Sequence, residues 1–208
     1  MSTFKKALLQ LHVFVFLAGL TGPLGYLIQL NGLMLVFYRM LLASIVLLFF
    51  YLFTQQKVHH KFTTKFKLIG IGAIIALHWV CFYGSIKLAN VSIALVCFSS
   101  TSMFTSLIEP MATKIKIKWR DLLIGALSFI GILLIFHFDT KFRTGIIVGL
   151  VSALLASIFS VINKGVTNKV DTFTIQFYEM MGGVFFFKLN YFRICWIEPK
   201  SICFTPLE

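Results

Sequence analysis

Apolar runs long enough to cross a bilayer follow one another along the chain, separated by short polar connections. About 20 residues of α-helix cover the hydrocarbon core. Runs of that kind occupy 8–30, 34–53, 68–88, 91–111, 122–138 and 145–162; a seventh begins near Thr172 and loses its apolar character at Lys188. We number them spans 1 to 7. The pattern predicts an all-α, polytopic membrane protein, a helical bundle of about six to seven transmembrane helices. Span 1 is expected to remain in the membrane rather than serve as a secretory signal. Its apolar run is too long, no small-residue cleavage site follows, and span 2 comes at once.

The order of the spans carries an internal echo. Phe37-Tyr38-Arg39-Met40 in span 2 recurs as Phe177-Tyr178-Glu179-Met180 in span 7, and the same 140-residue offset relates span 6 to span 1. A duplicated unit of five spans fits both observations. Five is odd, so the second copy enters the membrane from the opposite side, as in the inverted repeats of secondary transporters with a substrate site near the midplane.

Charge fixes the expected orientation. With a cytoplasmic N-terminus, the inner segments hold Lys5, Lys6, Lys57, Lys61, Lys65, Lys67, Lys114, Lys116, Lys118, Arg120, Lys164 and Lys169. The outer connections hold Lys87, Lys141 and Arg143. Lys and Arg gather on the cytoplasmic side of membrane proteins, so the net charge of +12 is a topology signal. A nucleic-acid partner would need those residues on one soluble face, and none is expected. Composition agrees: 59% of the 208 residues are hydrophobic and only 12% charged, with a mean hydropathy of +0.92. That balance excludes disordered, collagenous and disulfide-framework chains. Cys81, Cys97, Cys195 and Cys203 show no metal-ligand spacing.

Several segments together resemble one family. Val36-Phe37-Tyr38-Arg39-Met40-Leu41-Leu42-Ala43 looks like the second span of the EamA-type transporters of the drug/metabolite transporter superfamily. Ala76-Leu77-His78-Trp79, continued by Phe82-Tyr83-Gly84-Ser85-Ile86-Lys87-Leu88-Ala89-Asn90-Val91-Ser92, is similar to its third span, outer turn and fourth span. Thr105-Ser106-Leu107-Ile108-Glu109-Pro110, a basic loop, and Gly125 to Gly131 resemble the end of its first repeat. The resemblance implies ten helices in two five-helix repeats. It also implies export or exchange of small metabolites across the bacterial inner membrane. On that pattern, 1–143 is the first EamA-like repeat, 144–187 an incomplete second repeat, and 188–208 an atypical tail. Spans 8 to 10 have no counterpart, and we expect a frameshift or premature stop near Phe187.

Polar groups inside a membrane are costly, so each one here calls for a use. In span 1, Gly19, Gly22 and Pro23 form a candidate hinge, because Pro23 cannot donate to the carbonyl of Gly19; a static kink is the alternative. Arg39 lies about 8 Å below the outer surface. It either snorkels outward or faces a cavity as a fixed cation for an anionic group. Glu179 is the matching residue in span 7, in the other half of the bilayer, about 10 Å from the inner surface. The two are not expected to pair directly. His78 sits near the bilayer centre with Trp79 and Tyr83, which suggests an aromatic solute lining. Its titration range permits proton coupling, and a hydrogen bond to a neighbouring helix is the alternative.

Ser92, Ser99, Ser102, Ser106 and Glu109 share one face of span 4, with Ser99 and Ser102 the candidates for lining a cavity. Their hydroxyls bonding back to their own helix is the competing account. Glu109 is expected to pair with Lys114 or Lys116. Gly145, Gly149, Ala153 and Ser157 read as a helix-packing stripe, and Asn163 and Lys164 as candidates for an inner gate.

No phosphate loop, metal-ligand spacing or nucleophile elbow occurs, and His59-His60 reads as a solvated pair. We therefore expect no enzyme activity, no cofactor and no metal. The expected partners are the lipid bilayer and a small-molecule solute, with a second copy of the chain as a further candidate. The reading is a transporter of small metabolites or amino-acid-like solutes working by alternating access. The rival reading is a non-transporting membrane remnant or partner subunit.

Overall fold

The computed structural model describes residues 3–28, 30–54, 62–114, 116–117, 119–138 and 140–197. Among these the chain forms eight α-helices, a short 3-10 turn at Thr140–Phe142, and no strand. The helices are α1 (Thr3–Leu27), α2 (Gly32–Thr54), α3 (Phe62–Leu88), α4 (Val91–Ser99), α5 (Thr101–Thr113), α6 (Trp119–Phe138), α7 (Arg143–Thr167) and α8 (Thr172–Ile197). Among the described residues, five spans are long and apolar enough to cross a membrane by length and composition: α1, α2, α3, α7 and the α4–α5 pair. The all-α, polytopic membrane fold expected from the sequence is the fold observed. The readings for Lys57, His59, His60, Lys61, Lys118, Cys195 and Cys203 lie outside the described residues and side chains.

At the centre of the bundle stands α3, which packs against α7 and α8, while α2 also lies on α8 and α5 bridges α6 and α7. Leu68, Ile71, Ile75, Ala76, Phe82 and Ile86 of α3 are buried. They form the main core with Leu35, Val36 and Met40 of α2 and Ile175 and Phe187 of α8. By contrast α1 is exposed along most of its length and packs chiefly against α3 and α4.

Backbones come very close where glycine removes a side chain. A Cβ placed on Gly72 of α3 would strike the Glu179 carbonyl of α8, and one on Gly182 of α8 would strike the Ile69 carbonyl of α3. Across the α7 contact, a Cβ on Gly145 would stand 2.6 Å from Ala89 Cβ, and one on Gly149 2.8 Å from both Cys97 Cβ and Ser85 Oγ. Ser85 Oγ donates to the Gly145 carbonyl at 2.7 Å, and Ser157 Oγ to the Thr101 carbonyl at 2.9 Å. The stripe of small residues on α7 thus packs against α3, α4 and α5.

Two elements differ from the sequence reading. Span 4 is not one helix but breaks at Ser100, between α4 and α5. Four successive hydroxyls bond back to carbonyls of the preceding turn: Ser99 to Val96, Ser100 to Cys97, Thr101 to Phe98 and Ser102 to Ser99. Back-bonding of this kind loosens and bends a helix. Asn90 caps the start of α4, its side chain accepting from Ile93 N–H at 2.8 Å. The second difference is the far end of span 7. Helix α8 continues past Lys188 to Ile197, because loss of apolar character does not by itself end a helix and neither Gly nor Pro stands in that stretch.

Candidate functional site

Arg39 projects from α2 onto α3. Its guanidinium carbon lies 3.6 Å from the centroid of the Trp79 ring, and its Nη1 donates to the Tyr83 hydroxyl at 3.0 Å. Trp79 and Tyr83, one turn apart on α3, stack with centroids 5.8 Å apart. The ring faces attract the cation and the hydroxyl accepts one of its protons. No carboxylate pairs with Arg39 among the described residues. A half-buried guanidinium held only by neutral groups keeps its positive charge and several N–H donors for another partner.

The floor of this cluster is aromatic. His78 is 3% exposed and has Trp79, Phe98 and Phe159 rings at 5.1, 5.5 and 5.7 Å. Its Nδ1 lies 2.9 Å from the Ser152 carbonyl oxygen of α7, and Ser152 Oγ donates to the His78 carbonyl at 3.2 Å. A carbonyl can only accept, so Nδ1 carries a proton and donates it to Ser152. His78 is therefore bonded across to a neighbouring helix.

Helix α1 closes one side of the cluster. A Cβ on Gly25 would overlap the Tyr83 ring, and one on Gly22 would stand 3.2 Å from Val91 Cγ1. Gly19 has open space around it, and α1 stays helical through Pro23. Nearby, Lys87 Nζ donates to the Leu30 carbonyl at 2.6 Å, tying the end of α3 to the turn between α1 and α2.

Arg39, His78, Trp79 and Tyr83 thus come together. Ser99 and Ser102 do not join them by any hydrogen bond; both are exposed, and both hydroxyls bond back to their own helix. Glu179 is elsewhere, 1% exposed in α8, and no ion pair joins it to Arg39 among the described residues. Glu109 pairs with Lys164 of α7 rather than with Lys114 or Lys116. The local partners follow the αL turn at Lys114, whereas the end of α7 brings Lys164 alongside.

Two residues escaped the sequence reading. Ser152 is fully buried and holds His78; its position one residue before Ala153 in the small-residue stripe was the available signal. Ser100 marks the break in span 4, and the run Ser99-Ser100-Thr101-Ser102 was its signal.

The profile of the EamA-like transporter family matches residues 5–137. The chain belongs to the EamA-like transporter family. Arg39, His78, Trp79, Tyr83, Ser99 and Ser102 of this family member all fall inside the matched stretch, and Glu179 falls outside it. EamA-like proteins are membrane transporters, so this chain is a multi-pass membrane protein of a transporter family. No curated protein and no solved structure matches it.

Proposed function

We propose that this EamA-like chain carries small carboxylate-bearing metabolites, amino-acid-like solutes above all, out of the cell across the bacterial inner membrane. The observation that carries the reading is the Arg39 guanidinium, seated on Trp79 and Tyr83 and paired with no carboxylate among the described residues. A solute carboxylate supplies the missing anion in a charge-assisted bond, and the aromatic faces take the apolar part of the solute.

Movement follows alternating access. A first repeat, 1–143, rocks against the helices of an inverted second one, 144–187. The family match ends at residue 137, inside the first of these units. Gly19, Gly22 and Pro23 are the proposed hinge, next to the Tyr83 wall that Gly25 accommodates. The Glu109–Lys164 pair joins the two units at one end and acts as the gate. The cytoplasmic N-terminus rests on the Lys and Arg distribution.

Purified protein in proteoliposomes, loaded with one unlabelled amino acid and offered the labelled form outside, tests the reading. Accelerated uptake over protein-free vesicles is the expected result. A folded protein that never alters flux, across a panel of amino acids and other small carboxylates, would favour the non-transporting partner instead.

A further inference from the structure

The turn that joins α5 to α6 carries the exposed cations Lys114, Lys116 and Arg120. Lys114 ends α5 in the left-handed conformation, and Arg120 is the second residue of α6. None of the three belongs to an ion pair among the described residues, and Glu109 of α5 is already taken by Lys164. From Pro110 to Phe138 the one acidic residue is Asp121, so this end of the bundle keeps a net positive charge. Trp119 stands beside the cations, exposed. Together Trp119, Arg120, Asp121 and Ile124 line a hollow of about 470 Å³, within the range of small-molecule sites, about 300–1,000 Å³.

An apolar stripe runs from this basic end along α6. Arg120, Ile124, Leu127, Gly131 and Leu134 follow one another at intervals of 4, 3, 4 and 3 residues, which puts them on one face of the helix. Ile124, Leu127 and Leu134 are each exposed, and a Cβ on Gly131 would meet nothing within 4 Å, so the stripe is open and notched at Gly131. The packed face is the opposite one, where a Cβ on Gly125 would stand 2.6 Å from the Met103 backbone of α5. From Arg120 to Leu134 the stripe runs about 21 Å. That is enough to accompany an acyl chain through one leaflet of a hydrocarbon core about 30 Å thick.

We propose that the α5–α6 turn and the stripe beside it form a docking surface for one anionic phospholipid. The Arg120 guanidinium donates to the phosphate oxygens in the paired geometry that suits it, and Lys114 and Lys116 balance the remaining negative charge. The Trp119 ring sits at headgroup level, where amphipathic rings settle. An acyl chain then runs along Ile124 and Leu127 and past the notch at Gly131. Charge and shape together choose this occupant. A choline lipid brings a cation of its own into the basic turn, and a free phosphate leaves the apolar stripe uncovered. Basic clusters at the ends of membrane helices take anionic headgroups in this way. The surface lies apart from the Arg39 cluster and does not depend on solute movement.

The test uses the tryptophan already in the surface. Full-length protein is placed in nanodiscs of phosphatidylglycerol and phosphatidylcholine in equal amounts, with brominated acyl chains on one lipid or on the other. Bromine quenches an indole that it touches, and Trp119→Phe gives the share of quenching that belongs to the other tryptophans. One basic residue near the surface favours an anionic lipid about fivefold. Quenching of Trp119 is therefore expected to report a preference of about fivefold or more for phosphatidylglycerol. The double variant Lys116→Gln, Arg120→Gln is expected to bring the two lipids level. Both side chains are exposed, so its helicity stays that of the wild type. Equal quenching by the two lipids in the wild type would overturn the proposal. So would a preference unchanged in the double variant, or one abolished by millimolar inorganic phosphate at constant ionic strength, which would make the turn a site for a free anion.

Discussion

His78 of α3 and Ser152 of α7 bind each other twice, through the imidazole Nδ1 and the Ser152 carbonyl at 2.9 Å and through Ser152 Oγ and the His78 carbonyl at 3.2 Å. The contact joins the third helix of the first proposed repeat to the first helix of the second. Ser152→Ala removes only the hydroxyl bond, and such interhelical bonds average about 0.6 kcal/mol in membranes. His78→Leu removes the imidazole bond, about 0.5–1.5 kcal/mol, together with the ring's contacts to Phe98 and Phe159, while the Ser152 carbonyl keeps its helical donor. Thermal unfolding in detergent is expected to rank them in that order, with Ser152→Ala the milder. Equal losses would show that the imidazole bond adds nothing to packing.

Gly72 and Gly70 test the close crossing of α3 and α8. A methyl on Gly72 meets the Glu179 backbone, while one on Gly70 meets nothing within 4 Å. Backbone cannot swing away as a side-chain tip does, so Gly72→Ala is expected to cost about 1–3 kcal/mol as an overpacked core does. Gly70→Ala is expected to be neutral or mildly stabilising, since alanine is the better helix former. Melting temperatures of the two variants, measured side by side, decide the matter.

What the sequence disclosed was governed by the range of the interaction. Helix α2 at Gly32–Thr54 and α7 at Arg143–Thr167 extend the apolar runs 34–53 and 145–162 by a few residues, because hydropathy along one helix is a local property. The clustering of Trp79 with Tyr83 is also local, one turn on one face. Arg39 joining them needed the packing of α2 on α3, to which hydropathy is blind. The Glu109 partner was misplaced for the same reason: Lys114 and Lys116 are near in sequence, Lys164 is near in space. Ser100 hid inside span 4 because a bent helix and a straight one have the same hydropathy.

Glu109 and Lys164 should matter more for the position of the helices than for stability. With the lysine 61% and the glutamate 27% exposed, the pair is worth about 0–1 kcal/mol and weakens as salt screens it. Glu109→Lys and Lys164→Glu singly should each raise labelling of a cysteine introduced at Thr113, and the double swap should return it toward the parent level. Labelling that ignores all three variants would remove the pair from any gating role.

Arg39 carries the central claim, that a fixed guanidinium on an aromatic pair receives a solute carboxylate. The most direct measurement compares proteoliposome counterflow of an amino acid with that of its carboxamide analogue, for the wild-type chain and for Arg39→Gln. A charge-assisted bond of about 1.5–3 kcal/mol predicts a preference of about tenfold or more for the carboxylate in the wild type, with that preference lost in Arg39→Gln. Equal counterflow of acid and amide by the wild-type protein, or an unchanged preference in Arg39→Gln, would contradict the account.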